Sequence, residues 1–159
     1  MEYRSTYKSP LGLLLLKSDG LSMTEISFSE VELQEKNDCT VLSKCEQQLE
    51  DYFSGKCLGF DLPLNPEGTE FQKKVWAELL KIPVGETITY SELAVRLGDP
   101  KLVRAVGTAN GRNPLAIVIP CHRVIGAGNK LTGYAGGLDR KLALLKHEMK
   151  SNPSKQTLF

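Results

Sequence analysis

Residues Leu115-Ala116-Ile117-Val118-Ile119 form an unbroken apolar run, three of whose five members are β-branched, and the run ends at Pro120. Side chains of this kind are compatible with burial on both sides, and the run reads as a buried strand. Pro120 has no amide to donate to a ladder, so regular pairing is expected to stop there. Cys121 and His122 follow at once. A thiol at the end of a rigid buried segment is ordinarily inert, but a histidine able to take its proton would make it a nucleophile. Adjacent strand residues point to opposite faces, so contact between the two requires a turn or a bridging water. Gly126-Ala127-Gly128 and Gly136-Gly137 lie beyond, and such segments suit a backbone that passes close to a ligand.

The 159 residues are enough for one domain or two small lobes. No apolar run approaches the ~20 residues of a membrane span, and Met1-Glu2-Tyr3-Arg4 lacks the layout of a signal peptide. The expectation is a soluble cytoplasmic protein (nuclear in a eukaryote) with no membrane partner. Cys39, Cys45, Cys57 and Cys121 show no regular spacing and no C-x-x-C, which argues for reduced thiols and against a disulfide framework or a structural zinc. Charge is unevenly spread. Residues 1–68 carry 6 Lys+Arg against 12 Asp+Glu, whereas residues 69–159 carry 14 against 7. A basic second half suits contact with a polyanion there, although two solvated surfaces of different charge fit the same numbers.

Local patterns divide the chain into lobes 1–66 and 67–152, with a frayed tail that takes in Ser151-Asn152-Pro153-Ser154 and residues 153–159. Residues 1–35 read as a short antiparallel meander with turns at Ser9-Pro10-Leu11-Gly12 and Ser18-Asp19-Gly20. Residues 40–53 read as a helix with Val41, Leu42, Cys45, Leu49, Tyr52 and Phe53 on one stripe and Gly55 past its end. The Pro- and Gly-rich stretch 61–68 connects the lobes. Thr69 and Gln72 form a capping-box signature for a helix to about Leu80, with Phe71, Val75, Trp76 and Leu79 as its core stripe.

Thr89-Tyr90-Ser91-Glu92 is a second capping box, opening a helix from Tyr90 to Leu97 that Gly98 closes. Asp99 is a candidate cap for another helix from Pro100 to about Ala109. Helix, tight turn, helix is the layout of a helix-turn-helix. The second helix carries Lys101 and Arg104 one turn apart, with the small residues Ala105, Gly107, Thr108 and Ala109 elsewhere on its surface. That surface suits close approach to a minor groove more than long-side-chain readout of the major groove.

At this point the chain resembles the O6-alkylguanine-DNA alkyltransferases. The resemblance rests on Ile119-Pro120-Cys121-His122-Arg123-Val124, supported in order by Gly85-Glu86-Thr87-Ile88-Thr89-Tyr90, Arg104-Ala105-Val106-Gly107, Asn113-Pro114, Tyr134-Ala135-Gly136-Gly137 and His147-Glu148. It implies an α/β (α+β) fold with a small ribonuclease-H-like N-terminal lobe bearing an antiparallel sheet, and a mainly helical C-terminal lobe holding the helix-turn-helix. It implies direct-reversal DNA repair, in which an alkyl group on guanine O6, and less efficiently on thymine O4, is transferred irreversibly to the protein. By the same resemblance Cys121 is the acceptor, His122 its base through a water, Glu148 the carboxylate behind the imidazole, and Tyr90 the proton source for the departing guanine. Arg104 is the finger that fills the gap left by the flipped nucleotide. Asn113 ties the recognition helix to the active-site segment, and Ser91, Lys101 and Gly107 complete the DNA face. Tyr134 walls the alkyl pocket, while backbone groups of Cys121, Val124 and Ala135 read the guanine edge. No metal or other cofactor is implied, and the partner is double-stranded DNA approached from the minor groove by a monomer without an obligate protein partner.

Three departures from the family pattern are visible. Ala135 stands where some members have serine, Gly111-Arg112 where some have Arg-Gly, and the zinc ligands of some eukaryotic members are missing. No phosphotriester-sensing module is expected ahead of the first lobe. Two other functions fit the bare motifs: a DNA-binding or damage-recognition module without transfer, and a Cys-His hydrolase with multiple turnovers.

Overall fold

The computed structural model describes residues 1–155 and 159, arranged in two compact units. The first comprises Met1–Glu67 and the short return Pro114–Ala116; the second comprises Gly68–Asn113 and the chain from Ile117 onward.

In the first unit, β1 (Tyr3–Ser9), β2 (Gly12–Ser18) and β3 (Met23–Phe28) form an antiparallel sheet in the order of the chain. Leu14, Leu16 and Ser18 alternate along β2 as its buried face, so one side of the sheet is apolar. The helix α1 (Thr40–Ser54) covers it with Leu42, Cys45, Leu49 and Tyr52, and Gly55 closes the helix in a left-handed conformation. Of the expected stripe, Val41 and Phe53 are only half-buried. The meander and this helix match the sequence expectation. Three single bridges extend the sheet among the described residues: Arg4 pairs with Asn37, Met23 with Leu64, and Ile26 with Leu115.

In the second unit, α2 (Glu70–Leu79) begins with the full capping box: Gln72 N donates to Thr69 Oγ1 and Thr69 N to Gln72 Oε1. Trp76 is core, as its helical spacing predicts, and its indole N–H donates to the Ala109 carbonyl at 2.9 Å. A methyl group on Gly68 would lie 2.5 Å from this ring, so only glycine lets the chain enter the helix so close to the indole. A short β4 (Ile88–Thr89) leads into α3 (Tyr90–Arg96), where Thr89 Oγ1 caps the Glu92 amide. Gly98 makes the following turn at φ 100°. Asp99 then caps Lys101 N, but the next three residues, Pro100–Leu102, are a 3-10 turn, and the α-helix proper is α4 (Val103–Gly111). Helix α4 packs on both α2 and α3.

The expectation of a strand over 115–119 is not met. After the bridge at Leu115 the chain turns, and Ile117 adopts φ 73°. Leu115, Ile117, Val118 and Ile119 are buried all the same. Burial accounts for their apolar character, and a short apolar run does not distinguish a strand from an irregular core segment. Left-handed backbone at a β-branched residue costs on the order of 1–3 kcal/mol, which packing of this segment must outweigh. The parallel strand lies further on, as β5 (Val124–Ile125) beside β4. Finally α5 (Leu138–Met149) buries Leu144, Leu145 and Met149; Ile125, Leu145 and Met149 form a cluster on which Leu131 and Phe159 pack.

The expectation of a frayed tail also needs correction. Ser151 Oγ donates to the Glu148 carbonyl and Asn152 Nδ2 to the Gly85 carbonyl, and Pro153–Lys155 is a 3-10 turn. These bonds satisfy the end of α5 and anchor the segment. For residues 156–158 the expectation lies outside the described residues.

Candidate active site

The 3-10 turn Cys121–Arg123 follows Pro120 and places three successive side chains in the interior of the second unit. Its turn resolves the strand-geometry objection, because Cys121 and His122 no longer alternate across a sheet. Cys121 N donates to the Ile119 carbonyl at 2.8 Å and Val124 N to the Cys121 carbonyl. Two asparagines brace the same peptides. Asn113 Nδ2 donates to Ile119 O at 2.7 Å and Asn110 Nδ2 to Cys121 O at 3.3 Å. Asn113, just past the end of α4, thus holds the segment that leads to Cys121 by one hydrogen bond.

His122 and Glu148 are both inaccessible, with His122 Nε2 2.7 Å from Glu148 Oε2. Arg123 forks onto the same carboxylate, Nε to Oε1 at 2.7 Å and Nη2 to Oε2 at 3.1 Å, and donates Nη1 to the Ile82 carbonyl. Burial by itself raises a carboxyl pKa, but His122 and Arg123 outweigh it and hold Glu148 well below the usual carboxylate range. An ionised Glu148 only accepts hydrogen bonds, so neutral His122 carries its proton on Nε2 and leaves Nδ1 as the free base. Nδ1 is buried and has no protein partner.

Cys121 is 6% exposed. Burial pushes its thiol pKa up, while a hydrogen bond with Asn113 and the charge of Lys141 pull it down. Tyr134 lies within electrostatic reach: its hydroxyl pKa is pushed well up, first by burial and then by the negative forms of Cys121 and Glu148. Tyr90 Oη donates to the Thr132 carbonyl at 3.2 Å. Val124 is buried and Ala135 exposed.

On α4 and the turn before it, Lys101, Arg104, Ala105 and Thr108 are all exposed. At positions 101, 104, 105 and 108 they share the spacing of one helix face. Ser91 is exposed at the start of α3, and Gly107 lies against the ring of Tyr90, where an added methyl would sit at 3.8 Å. The 3-10 turn and β5 thus gather Cys121, His122 and Val124, with Glu148, Asn113 and Tyr134 linked to them by hydrogen bonds or charge. Of the predicted DNA residues, Ser91, Lys101 and Arg104 are exposed on α3, the 3-10 turn and α4, Tyr90 and Gly107 are half-buried against each other, and Asn113 lies apart beside Ile119.

Sequence reasoning missed three residues: Arg123, Asn110 and Lys141. Arg123 lay inside the quoted motif without a role. Lys141 is fully buried, and its ammonium donates to the Val124 and Thr132 carbonyls, each at 2.7 Å. A signal for it existed, since 141, 144, 145 and 148 fall at the helical spacing of one buried stripe. Among the described residues no cluster of three or more His, Cys, Asp or Glu is placed to hold a metal ion.

Comparison with known proteins covers both units. Residues 70–150 match the DNA binding domain of 6-O-methylguanine DNA methyltransferase, and residues 2–66 its ribonuclease-like domain. A methylated-DNA–protein-cysteine methyltransferase of Methanosarcina acetivorans is 49% identical over 152 residues, 92% of this chain and 97% of the relative. The crystal structure of the Mycobacterium tuberculosis O6-methylguanine methyltransferase superposes with a TM-score of 0.87 at 45% identity, covering 100% of this chain and 99% of that one. The M. tuberculosis protein solved in complex with DNA gives 0.85 at 46% identity, with 98% of each chain covered. With both units matched in chain order and a buried Cys-His-Glu arrangement in the second, the chain belongs to the 6-O-methylguanine DNA methyltransferase family.

Proposed function

We propose that this protein repairs DNA by taking the alkyl group from O6 of guanine, and less efficiently from O4 of thymine, onto Cys121 in a single irreversible transfer. The observation that carries the reading is the orientation of His122. Glu148 holds its Nε2–H, which leaves the buried Nδ1 as the one atom of the ring free to accept a proton. Through one bridging water, Nδ1 takes the proton of the Cys121 thiol. The thiolate sulfur then bonds the alkyl carbon as the carbon–O6 bond breaks, and the electron pair leaves with guanine. Tyr90 supplies a proton to the departing base, exchanging its Thr132 acceptor for the guanine as it does so. The thioether product has no leaving group that this site can expel, so each molecule acts once.

A carbon atom stacked inside a duplex is out of reach of a buried thiol, and the nucleotide must be flipped out. Helix α3, the turn at Gly98 and α4 serve as a helix-turn-helix, with Arg104 as the wedge that offsets part of the unstacking cost. The small residues along α4 favour approach from the minor groove, while Ser91 and Lys101 contact the backbone. The protein acts as a monomer in the cytoplasm, or in the nucleus in a eukaryote; no described helix is long and apolar enough to cross a membrane. The test is intact-protein mass spectrometry after incubation with a duplex containing O6-methylguanine. The expected result is a stoichiometric gain of one methyl group mapped to Cys121. Lesion binding without mass gain would mark a recognition protein instead, and methyl removal by Cys121→Ala would overturn the assignment of the nucleophile.

A further inference from the structure

Asn110 is a buried polar residue for which the mechanism above has no use. It is the last residue but one of α4 and only 2% exposed. Val106 and Ala109, the other buried positions of that helix, are apolar, and an asparagine beside them must satisfy its amide or forfeit its hydration. One end is satisfied, since Nδ2 donates to the Cys121 carbonyl at 3.3 Å. That bond also fixes which end of the amide is which, because a carbonyl requires the N–H end and turns Oδ1 away from itself. Oδ1 is buried and has no hydrogen-bond partner among the described residues.

Among the described residues of the second unit, His122 Nδ1 and Tyr134 Oη are in the same condition, and both belong to residues of the reaction site. Asn110 Oδ1 joins them, on the same amide that holds the carbonyl of the residue bearing the thiol. The Cys121 carbonyl is itself saturated. It accepts from Val124 N as well as from Asn110 Nδ2, and a carbonyl oxygen has two lone pairs. A base entering beside Cys121 therefore meets a backbone acceptor already engaged and a side-chain acceptor that the protein leaves open.

The two lesions differ on the edge that such an acceptor reads. O6-alkylguanine carries a 2-amine, which donates, whereas O4-alkylthymine presents O2 and an unprotonated N3, which only accept. We propose that Asn110 is a specificity-determining residue: its Oδ1 accepts a hydrogen bond from the 2-amine of the flipped guanine while its Nδ2 holds the Cys121 carbonyl. This deepens the function proposed above and rests on it. Set against thymine O2, the same acceptor finds no hydrogen, and a desolvated acceptor left unpaired weighs against that base. The preference for guanine over thymine then has its cause in one side chain of α4.

The experiment deletes the two partners in turn. Single-turnover methyl transfer to the full chain is timed on duplexes carrying O6-methylguanine or O6-methylhypoxanthine, which differ only in the 2-amine. Wild type is expected to favour the guanine lesion about tenfold, as one neutral hydrogen bond provides. In Asn110→Leu, which keeps the size and removes both polar atoms, the ratio of the two rates should fall about tenfold, and O4-methylthymine should gain on O6-methylguanine. Comparing ratios cancels the intrinsic reactivity of the bases and any general displacement of Cys121, which slows both substrates alike. Should the leucine variant not fold, Asn110→Ala carries the same comparison. A guanine-to-hypoxanthine ratio within twofold of the wild-type ratio in a folded variant overturns the proposal and leaves Asn110 a brace for the Cys121 carbonyl. Affinity of Cys121→Ala for the two duplexes supplies a readout without transfer. If wild type transfers no methyl, yet Cys121→Ala prefers the guanine duplex and Asn110→Leu in that background loses the preference, the proposed function falls and the reading of the amine by Asn110 stands. With no transfer and no such preference, both fall.

Discussion

The chemistry of this chain depends on how few polar atoms serve a buried thiol, and Glu148 is the residue on which the most of them converge. It receives His122 and both prongs of Arg123 while buried from solvent. Breaking a buried charge pair leaves the other partner uncompensated, at a cost of about 3–5 kcal/mol. Glu148→Gln should lose stability of this order in urea unfolding, and it should slow carboxymethylation of Cys121 because the imidazole loses its anionic anchor. The pH dependence follows from the sign of the shift. The carboxyl pKa is lower folded than its ordinary value of 4.5, so its contribution is full above that value and is lost as pH falls below it. Wild type should therefore lose stability more steeply than Glu148→Gln between about pH 5 and pH 3. Equal slopes would show that Glu148 is not ionised in the folded protein.

At the scale of elements, α4 has two faces with different tasks. Val106, Ala109 and Asn110 are buried, while Arg104, Ala105 and Thr108 face out and Gly107 sits half-covered beside Tyr90. A helix-interior glycine costs up to about 1 kcal/mol relative to alanine, and at Gly107 an added methyl meets only an ordinary contact. Gly107→Ala should thus leave thermal stability equal or raised. If α4 approaches the minor groove closely, as proposed, the variant's duplex affinity should nevertheless fall. A variant that is both more stable and as tight on DNA would remove the argument for close approach. Thr89→Ala tests the other helix of the pair. Loss of the cap on Glu92 N should cost about 1 kcal/mol, and the damage should reach Tyr90, the first residue of α3.

For the whole molecule the uneven charge matters most. The first unit is acidic and the second basic, so attraction to DNA is confined to the chain that carries the thiol. Arg104→Ala and Lys101→Ala should each weaken duplex binding and reduce the slope of log affinity against log salt by about 1, if each side chain neutralises one phosphate. A salt slope unchanged in both variants would place the DNA face elsewhere. No such dependence is expected of substitutions in the acidic surface of α1, such as Glu50→Gln, whose carboxylate is engaged by Tyr7.

Much of the architecture was legible in the chain itself because its signals are local. The meander follows from turn residues between alternating runs, α1 from its stripe and Gly55, and the starts of α2 and α3 from side-chain oxygens three residues ahead of their amide partners. The Cys121-His122 motif and its carboxylate were legible too, since family signatures are contiguous. Tertiary structure alone decided the rest. Apolar residues 115–119 record burial but not backbone shape, so the turn at Ile117 and the 3-10 placement of Cys121 could not be read from hydrophobicity. A proline after Asp99 was compatible with α-helix or a 3-10 turn, and packing chose the latter for its first residues. Arg123 and Lys141 look like ordinary surface cations in sequence. Their roles arise because Glu148 lies 25 residues beyond the first, and the carbonyls of Val124 and Thr132 lie 17 and 9 residues before the second. The chain specifies by itself which groups are candidates to react, and only the packed molecule specifies which charges surround them, because that depends on distances between residues that sequence spacing does not encode.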